Sequence, residues 1–263
     1  MGGAKDISIL SMMLCFLLLI IPVIIYSYIK LPLIKETLLS AARMTIQLFL
    51  MGIYLKYLFQ YDSAIVNILW LLIMMIVATF QAIRRSNLNR KVFLVPILLS
   101  YSISIYTITL YFNRFVIDVT RIFSAKYLVV IGGMILGNSL RGIIISVSTF
   151  YKDIAHEKER YIYRLITFGN KFEAVLPYLR NSIQIAISPT IATMATMGIV
   201  SIPGTMTGQI LGGASPMVAI KYQIALMIAV FAATNISIVL SIYTTSRRAF
   251  EKRGLLRKGI VKI

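Results

Sequence analysis

Residues 7–29 read ISILSMMLCFLLLIIPVIIYSYI, 23 consecutive residues without a charged side chain. As a helix rising ~1.5 Å per residue, this run is about 35 Å long, enough to cross the ~30 Å hydrocarbon core of a bilayer. It exceeds the apolar core of a secretory signal and no small-residue cleavage pattern follows it, so it reads as a retained span. The preceding Met1-Gly2-Gly3-Ala4-Lys5-Asp6 lacks the Ser or Thr at position 6 that N-myristoylation favours. Six more apolar stretches follow, near 37–58, 63–83, 92–112, 127–150, 183–202 and 217–244.

The composition agrees: of 263 residues, 59% are hydrophobic and 14% charged, against about 25% charged in soluble domains. The expected fold class is all-α, a polytopic membrane helix bundle of about seven transmembrane helices forming one transmembrane domain over 1–263. Tyrosines gather near many span ends (Tyr26, Tyr28, Tyr54, Tyr57, Tyr111, Tyr127, Tyr151, Tyr222, Tyr243), where amphipathic rings favour the interface.

Lys and Arg number 27 against 9 Asp and Glu, a formal net charge of +18. The positive residues fall in short gaps between apolar runs rather than in one stripe, which excludes nucleic acid as the partner and points to the lipid bilayer. With the N-terminus outside, nineteen basic residues lie in inner segments: Lys30, Lys35, four over 84–91, six over 152–180, and seven in the basic tail 247–263. Lys5, Lys56, Arg114, Arg121, Lys126 and Lys221 remain outside. This asymmetry places the N-terminus out and the C-terminus in.

All nine acids (Asp6, Glu36, Asp62, Asp118, Asp153, Glu157, Glu159, Glu173, Glu251) fall in loops, tails or span ends. Gradient-driven carriers use intramembrane carboxylates, so this chain reads as a transporter driven from outside. A carrier holding its cation with backbone carbonyls at broken helices stays open as the alternative, as does a stand-alone channel for a small cation or organic solute. Enzyme chemistry is not expected: His156 is the single histidine and sits in a charged loop, Cys15 is alone, and no HExxH or GxxxxGK[ST] motif occurs. No catalytic residue and no cofactor are assigned to this chain, and any ATP is expected on a partner.

Two regions carry the functional expectations. In the inner loop 151–180, Asp153, Glu157, Arg160 and Arg164 recur at helical spacing as one charged stripe opposite Ile154, Tyr161, Ile162, Leu165 and Ile166. A break at Gly169-Asn170 fits a helix end, and a second short helical pattern follows with Phe168, Phe172, Val175, Leu176 and Leu179 sharing a side; Glu173 joins the coupling candidates. This pair is either a docking element for a soluble partner or an extension of two spans lying on headgroups.

The second region is 181–220, which holds no charge and contains Pro189, Pro203, Pro216 and a run of glycines. Within it, 203–216 reads as a broken or re-entrant segment, since proline removes a backbone donor and the freed groups must find partners in protein or a water-lined path. Pro203, Gly204, Thr205, Met206, Gly208, Gln209 and Gly212 are the candidates for transport path or subunit contact; the spacing of Gly204, Gly208 and Gly212, like that of Gly133 and Gly137, also suits close helix packing. Polar residues inside spans add Gln47 beside Arg43, Asn138 beside Arg141, and Asn235. An intramembrane arginine is costly unless it snorkels or is paired; Arg43 lies close enough to the inner side to snorkel, whereas Arg141 lies nearer mid-span. Met194, Met197 and Met206 gather near the broken segment as soft candidate metal ligands or as gap fillers.

The stretch from Ile199-Val200-Ser201-Ile202-Pro203-Gly204-Thr205 through Met206-Thr207-Gly208-Gln209-Ile210-Leu211-Gly212-Gly213-Ala214-Ser215-Pro216, followed by Ala219-Ile220-Lys221-Tyr222-Gln223-Ile224, resembles the bacterial FetB family. Arg43-Met44-Thr45-Ile46-Gln47-Leu48 and Gly133-Met134-Ile135-Leu136-Gly137-Asn138-Ser139 support it. These are permeases of iron-export ABC transporters, similar to plant aluminium-sensitivity permeases. The resemblance implies a multi-pass permease in a prokaryotic cell membrane, working as a homodimer with two copies of a cytoplasmic ABC ATPase and exporting iron or another metal cation. It makes the loop around Gly169 a coupling element. The family pattern places an Asp and a Lys in the span before the Pro-Gly motif, where this sequence has Ala192 and Ala195.

Overall fold

Prolines and left-handed residues set the breaks in an otherwise helical chain. The computed structural model describes residues 6–251, 253–257 and 259–260; Lys5, Lys252, Lys258 and Lys262 of the charge tally lie outside them, as does part of the tail 247–263. The first apolar run is two helices in line, α1 (Ile9–Leu17) and α2 (Ile20–Tyr28). Pro22 cannot donate to the carbonyl of Leu18, and the backbone there tightens into three-residue turns (Leu18 N–H to Cys15 O, 3.1 Å; Leu19 N–H to Phe16 O, 3.0 Å). There follow α3 (Ile34–Tyr61), α4 (Ala64–Arg85), α5 (Arg90–Tyr111) with a π-helical turn over Phe112–Val116, α6 (Ala125–His156), α7 (Lys158–Phe168), α8 (Lys171–Thr196), α9 (Gly204–Leu211) and α10 (Pro216–Ala249). No strand forms among the described residues, only isolated bridges at Met197–Ser201 and Phe250–Leu256.

Among the described residues, six helical stretches are long and apolar enough to cross a membrane: Ile9–Tyr28, Ile34–Tyr61, Ala64–Arg85, Arg90–Val116, Ala125–His156 and Pro216–Ala249. The seventh expected stretch, 183–202, is not a helix of its own. Asn170 caps α8 by accepting from the Phe172 N–H at 2.9 Å, and the helix then runs unbroken through Pro177 and Pro189 to Thr196. The second short helix expected after Gly169 and the first part of the apolar run are therefore one helix, with Lys171, Glu173 and Arg180 in its polar half.

The core is built by α4, α5, α6, α8 and α10. Without water among lipid tails, little hydrophobic force holds apolar helices together; small residues and hydroxyls must bring them close. α10 supplies them on one buried face: Ala229, Ala233, Ser237, Ser241 and Thr245. Ser104 of α5 donates to the Ala233 carbonyl at 2.8 Å, and Ser100 meets Thr244 at 2.8 Å. Tyr151 of α6 donates to Thr245 at 2.8 Å, and Tyr101 of α5 donates to the Leu136 carbonyl of α6. At the α6–α10 crossing a Cβ on Gly142 would lie 2.6 Å from Thr234 Cγ2, so only glycine fits without a shift. α1 and α2 bury nothing and α3 buries only Leu58; their large apolar side chains face outward, as in a chain whose solvent is lipid.

Asp62 ties the α3–α4 junction to α6. It accepts from the Ala125 N–H at 2.6 Å and from Asn67 Nδ2 at 3.2 Å, placing a negative charge at the start of α6, where the helix dipole favours it. Partial burial pushes the carboxyl up, but the Ala125 N–H, the Ser124 hydroxyl, the Asn67 amide and the nearby Arg121 charge outweigh it and hold Asp62 below its ordinary value. A depressed carboxylate stabilises the fold above its unfolded pKa of about 3.9, and that contribution is lost as pH falls through the folded value. Asp62→Asn is expected to lose about 1 kcal/mol at neutral pH. Thermal melts in detergent should show the gap between variant and parent closing as the pH drops below about 4.

Candidate functional site

Three helices and the interrupted segment line a partly open cavity of about 420 Å³. α6 contributes Met134, Asn138, Arg141 and Ile145, a spacing that keeps them on one face; α8 contributes Ala186, Pro189, Thr190, Thr193 and Met197; α10 contributes Gln223, Leu226, Met227 and Val230. Pro203, Gly204 and Thr205 close one end. α8 runs antiparallel to α6: Asn181 Nδ2 donates to Asp153 at 2.9 Å toward one end, while Met197 and Met134 share the cavity toward the other.

The cavity exists because the chain stops being helical after Thr196. Gly198 takes a φ of +88°, a conformation that side chains rarely adopt, and its N–H donates to the Ser201 carbonyl at 2.9 Å. The chain reverses, Pro203 caps the eight-residue α9, and Gly213 at φ +99° ends it. Gln223 of α10 pins the whole turn. Its Oε1 accepts from the Thr205 hydroxyl and its Nε2 contacts Met197 Sδ at 3.6 Å. Pro189 leaves the Ile185 carbonyl without its helical donor, and the Thr193 hydroxyl bonds to the Pro189 carbonyl at 2.9 Å.

Of the residues expected on a path, the structure brings Asn138, Pro203, Gly204, Thr205 and Met197 to this cavity. Met206, Gly208, Gln209 and Gly212 ride on α9 or its end without lining it, and Gln209 Oε1 is closed off from solvent with no partner. Gln47 is exposed on α3 and Met194 is exposed on α8; neither reaches the cavity. Of these three methionines Met197 lines the cavity, and among the described residues no three His, Cys, Asp or Glu side chains gather as a metal site. Gly204 and Gly208 face open space within this chain; the glycines closed in by another helix are Gly132 and Gly133, against α4, and Gly142. Thr190, Thr193 and Gln223 were not singled out from sequence; hydroxyls three apart just past Pro189, on one face of an otherwise apolar run, are the signal that finds the first two.

Arg141 lines the cavity near the middle of α6. Burying such a charge in hydrocarbon costs roughly 2.5–3.5 kcal/mol or more, and no ion pair to it forms among the described residues.

At the α6–α7 corner a smaller cleft of about 160 Å³ is lined by Asp153, Glu157, Arg160, Arg164, Pro177, Tyr178 and Asn181. The charged stripe is thus split between two helices, since α6 ends at His156, yet its members converge. Arg160 pairs with Glu157 at 3.2 Å and Tyr178 donates to Glu157 at 3.3 Å. Pro177 frees the Glu173 carbonyl, which accepts from Arg164 Nη2 at 3.4 Å; Glu173 enters through its backbone. Gly169 ends α7 at φ +61°. Tyr161 of α7 donates to the Gly254 carbonyl at 2.7 Å, and burial pushes its hydroxyl up to about 12. Lys171 Nζ donates to the Ser246 carbonyl at 3.1 Å and lies 4.3 Å above the Phe250 ring; burial pulls its ammonium below the ordinary lysine value. α7, α8 and the segment after α10 form one unit.

Gln223→Leu removes both ties on the interrupted segment at nearly constant volume. Hydrogen exchange of 197–215 in detergent is expected to rise about tenfold, as an opening made easier by ~1.4 kcal/mol requires, with α4–α6 unchanged.

Residues 9–250 match the profile described as Uncharacterised protein family (UPF0014). The chain is 28% identical to the "Probable iron export permease protein FetB" of Escherichia coli (strain K12) over 257 residues, covering 97% of this chain and 96% of that one. It is 29% identical to "Protein ALUMINUM SENSITIVE 3" of Arabidopsis thaliana, covering 93% and 88%, and 29% identical to the "UPF0014 membrane protein STAR2" of Oryza sativa subsp. japonica, covering 81% and 74%. No solved structure matches the chain. The resemblance carried by 199–216 and 219–224 thus extends over most of the sequence, and the chain, a multi-pass membrane protein, belongs to the UPF0014 family.

Proposed function

We propose that this chain is the permease subunit of an ABC transporter, with its path along the cavity between α6, α8 and α10 and with ATP hydrolysed by a separate cytoplasmic subunit. The observation that carries this reading is a cavity formed against an interrupted, proline-started helix and lined by no carboxylate. A path built from broken backbone is the usual form of a membrane substrate site, and a path without an ionisable acid has no group of its own to couple to protons.

In this reading α8 counts as a crossing, which gives seven with the N-terminus out, the C-terminus in and the α7 cleft facing the cytoplasm. The basic bias of the segments on that side supports it. The ATPase docks on α7 and the start of α8, where Arg160, Arg164 and Glu157 converge and Gly169 sets the turn between the helices. Two copies form the working permease, in the cell membrane of a prokaryote. Export of iron, as the ion or within a complex that carries it, is the cargo that the printed name of the Escherichia coli relative suggests.

Purification in mild detergent at native expression should retain a stoichiometric ATPase; uphill movement by the purified chain alone on a proton or sodium difference would sink the reading. In vesicles holding both subunits, Gly169→Val places a branched side chain at a positive φ, strained by about 1–2 kcal/mol. ATP hydrolysis is expected to continue while ATP-dependent flux falls severalfold, measured as transported solute per ATP. Unchanged coupling removes the docking assignment.

A further inference from the structure

We propose that the cargo occupies the α6–α8–α10 cavity as an anion, with Arg141 as its counter-charge. This rests on the permease reading and names the substrate class for the same site. Arg141 lies about 21 Å along α6 from Tyr127 and about 14 Å from Phe150, the ends of its apolar stretch, and an extended arginine side chain reaches less than ~8 Å, roughly a turn and a half of helix. Snorkelling to either end of the apolar stretch is out of reach.

The counter-charge does not come from this protein. The nine acids are all among the described residues, and every one sits at or beyond a helix end, none on the cavity. A second copy packed over the open side would bring another Arg141 and still no mid-helix carboxylate. The remaining polar lining, Asn138, Thr190, Thr193, Thr205 and Gln223, is neutral.

The start of α9 adds to the same sign. Pro203 is its cap, so the N–H groups of Gly204, Thr205 and Met206 have no intrahelical acceptor, and Gly204 and Thr205 border the cavity. A half-helix N-terminus beside an arginine favours negative charge. A hydrated hard cation such as iron(II) or manganese(II) entering here meets a fixed positive charge, and the soft thioethers on the lining, Met134, Met197 and Met227, suit such an ion poorly. About 420 Å³ admits a small polyatomic anion. A metal enclosed in an anionic chelate and a metal-free oxyanion share this chemistry: several oxygens, planar enough for a guanidinium fork, with net negative charge.

The test uses the full chain in phosphatidylcholine nanodiscs, with equilibrium dialysis against iron(III)–citrate, citrate alone, inorganic phosphate, and hydrated iron(II) and manganese(II). At least one anion is expected to bind, and the hydrated cations at least about tenfold more weakly. Arg141→Gln should weaken the anion by about tenfold or more, the factor that a lost charge-assisted hydrogen bond brings, while Arg141→Lys keeps it within a few fold. Binding of iron(III)–citrate but not citrate assigns the chelate; binding of citrate or phosphate without metal assigns the free anion.

Saturable cation binding with no anion binding, no anion binding at all, or anion affinity indifferent to Arg141→Gln each overturns the proposal. If Arg141→Gln does not yield folded protein, the ranking of anion over cation on the unaltered chain and on Arg141→Lys decides. Co-purification of the ATPase is scored separately: an anion site without an ATPase keeps this inference and sinks the ABC reading, and an ATPase with a cation-only site does the reverse.

Discussion

The close approach of α10 to α5 and α6 organises everything else in this molecule. In hydrocarbon, apolar surface gains little by being buried against more apolar surface, so helices associate where backbones can come near and hydroxyls can reach carbonyls. One face of α10 is made of Ala229, Ala233, Ser237, Ser241 and Thr245, and it receives Ser104, Ser100 and Tyr151 from its neighbours. Gly142 lets α6 cross at that same seam, against Thr234. The seam leaves no room for a larger side chain, and it fixes the walls against which the cavity opens.

Beside this tight seam lies a region where the backbone is left unfinished. Pro189 and Pro203 remove donors and Gly198 and Gly213 reverse the chain, while the Thr193 hydroxyl bonds back to the Pro189 carbonyl and Gln223 holds the turn through the side chains of Thr205 and Met197. Non-helical backbone at membrane depth persists only where protein or water satisfies it. Gln223 connects the two regions: it belongs to the rigid α10 and holds the loose turn, so a displacement of α10 would be felt directly at Thr205 and Met197. At the opposite end, Tyr161, Lys171 and Phe250 join α7, α8 and the chain after α10, so a force applied to α7 has a short route into α8 and α10, two of the three helices that wall the cavity.

Hydropathy alone made most of the helices legible, because a segment in lipid must be both long and uncharged, and the end of α7 was legible because only glycine sits easily at the φ of Gly169. Where two requirements competed, the reading missed the helix boundary. The run 183–202 is apolar enough to be taken as a separate span, yet Asn170 starts a helix thirteen residues earlier and nothing stops it before Thr196; Pro177 tilts the balance little because Arg164 takes up the carbonyl it frees. Among candidate site residues, Pro203, Gly204, Thr205 and Asn138 meet in space while Gln47, Met194 and Met206 do not. The motif names residues on both faces of the segment, and only the fold decides which of them turn toward α6.

From the chain of residues alone come the solvent this protein requires, the absence of any acid within a span, and the presence of arginine in two of them. These are properties of composition along one dimension, and no packing can change them. The fold decided which arginine counts: Arg43 lies on a helix that touches little, while Arg141 faces a cavity walled by three helices. That distinction depends on the rotation of α6 about its own axis, set by Gly142 against α10 and Tyr101 against Leu136, contacts between residues scores of positions apart that no local pattern encodes.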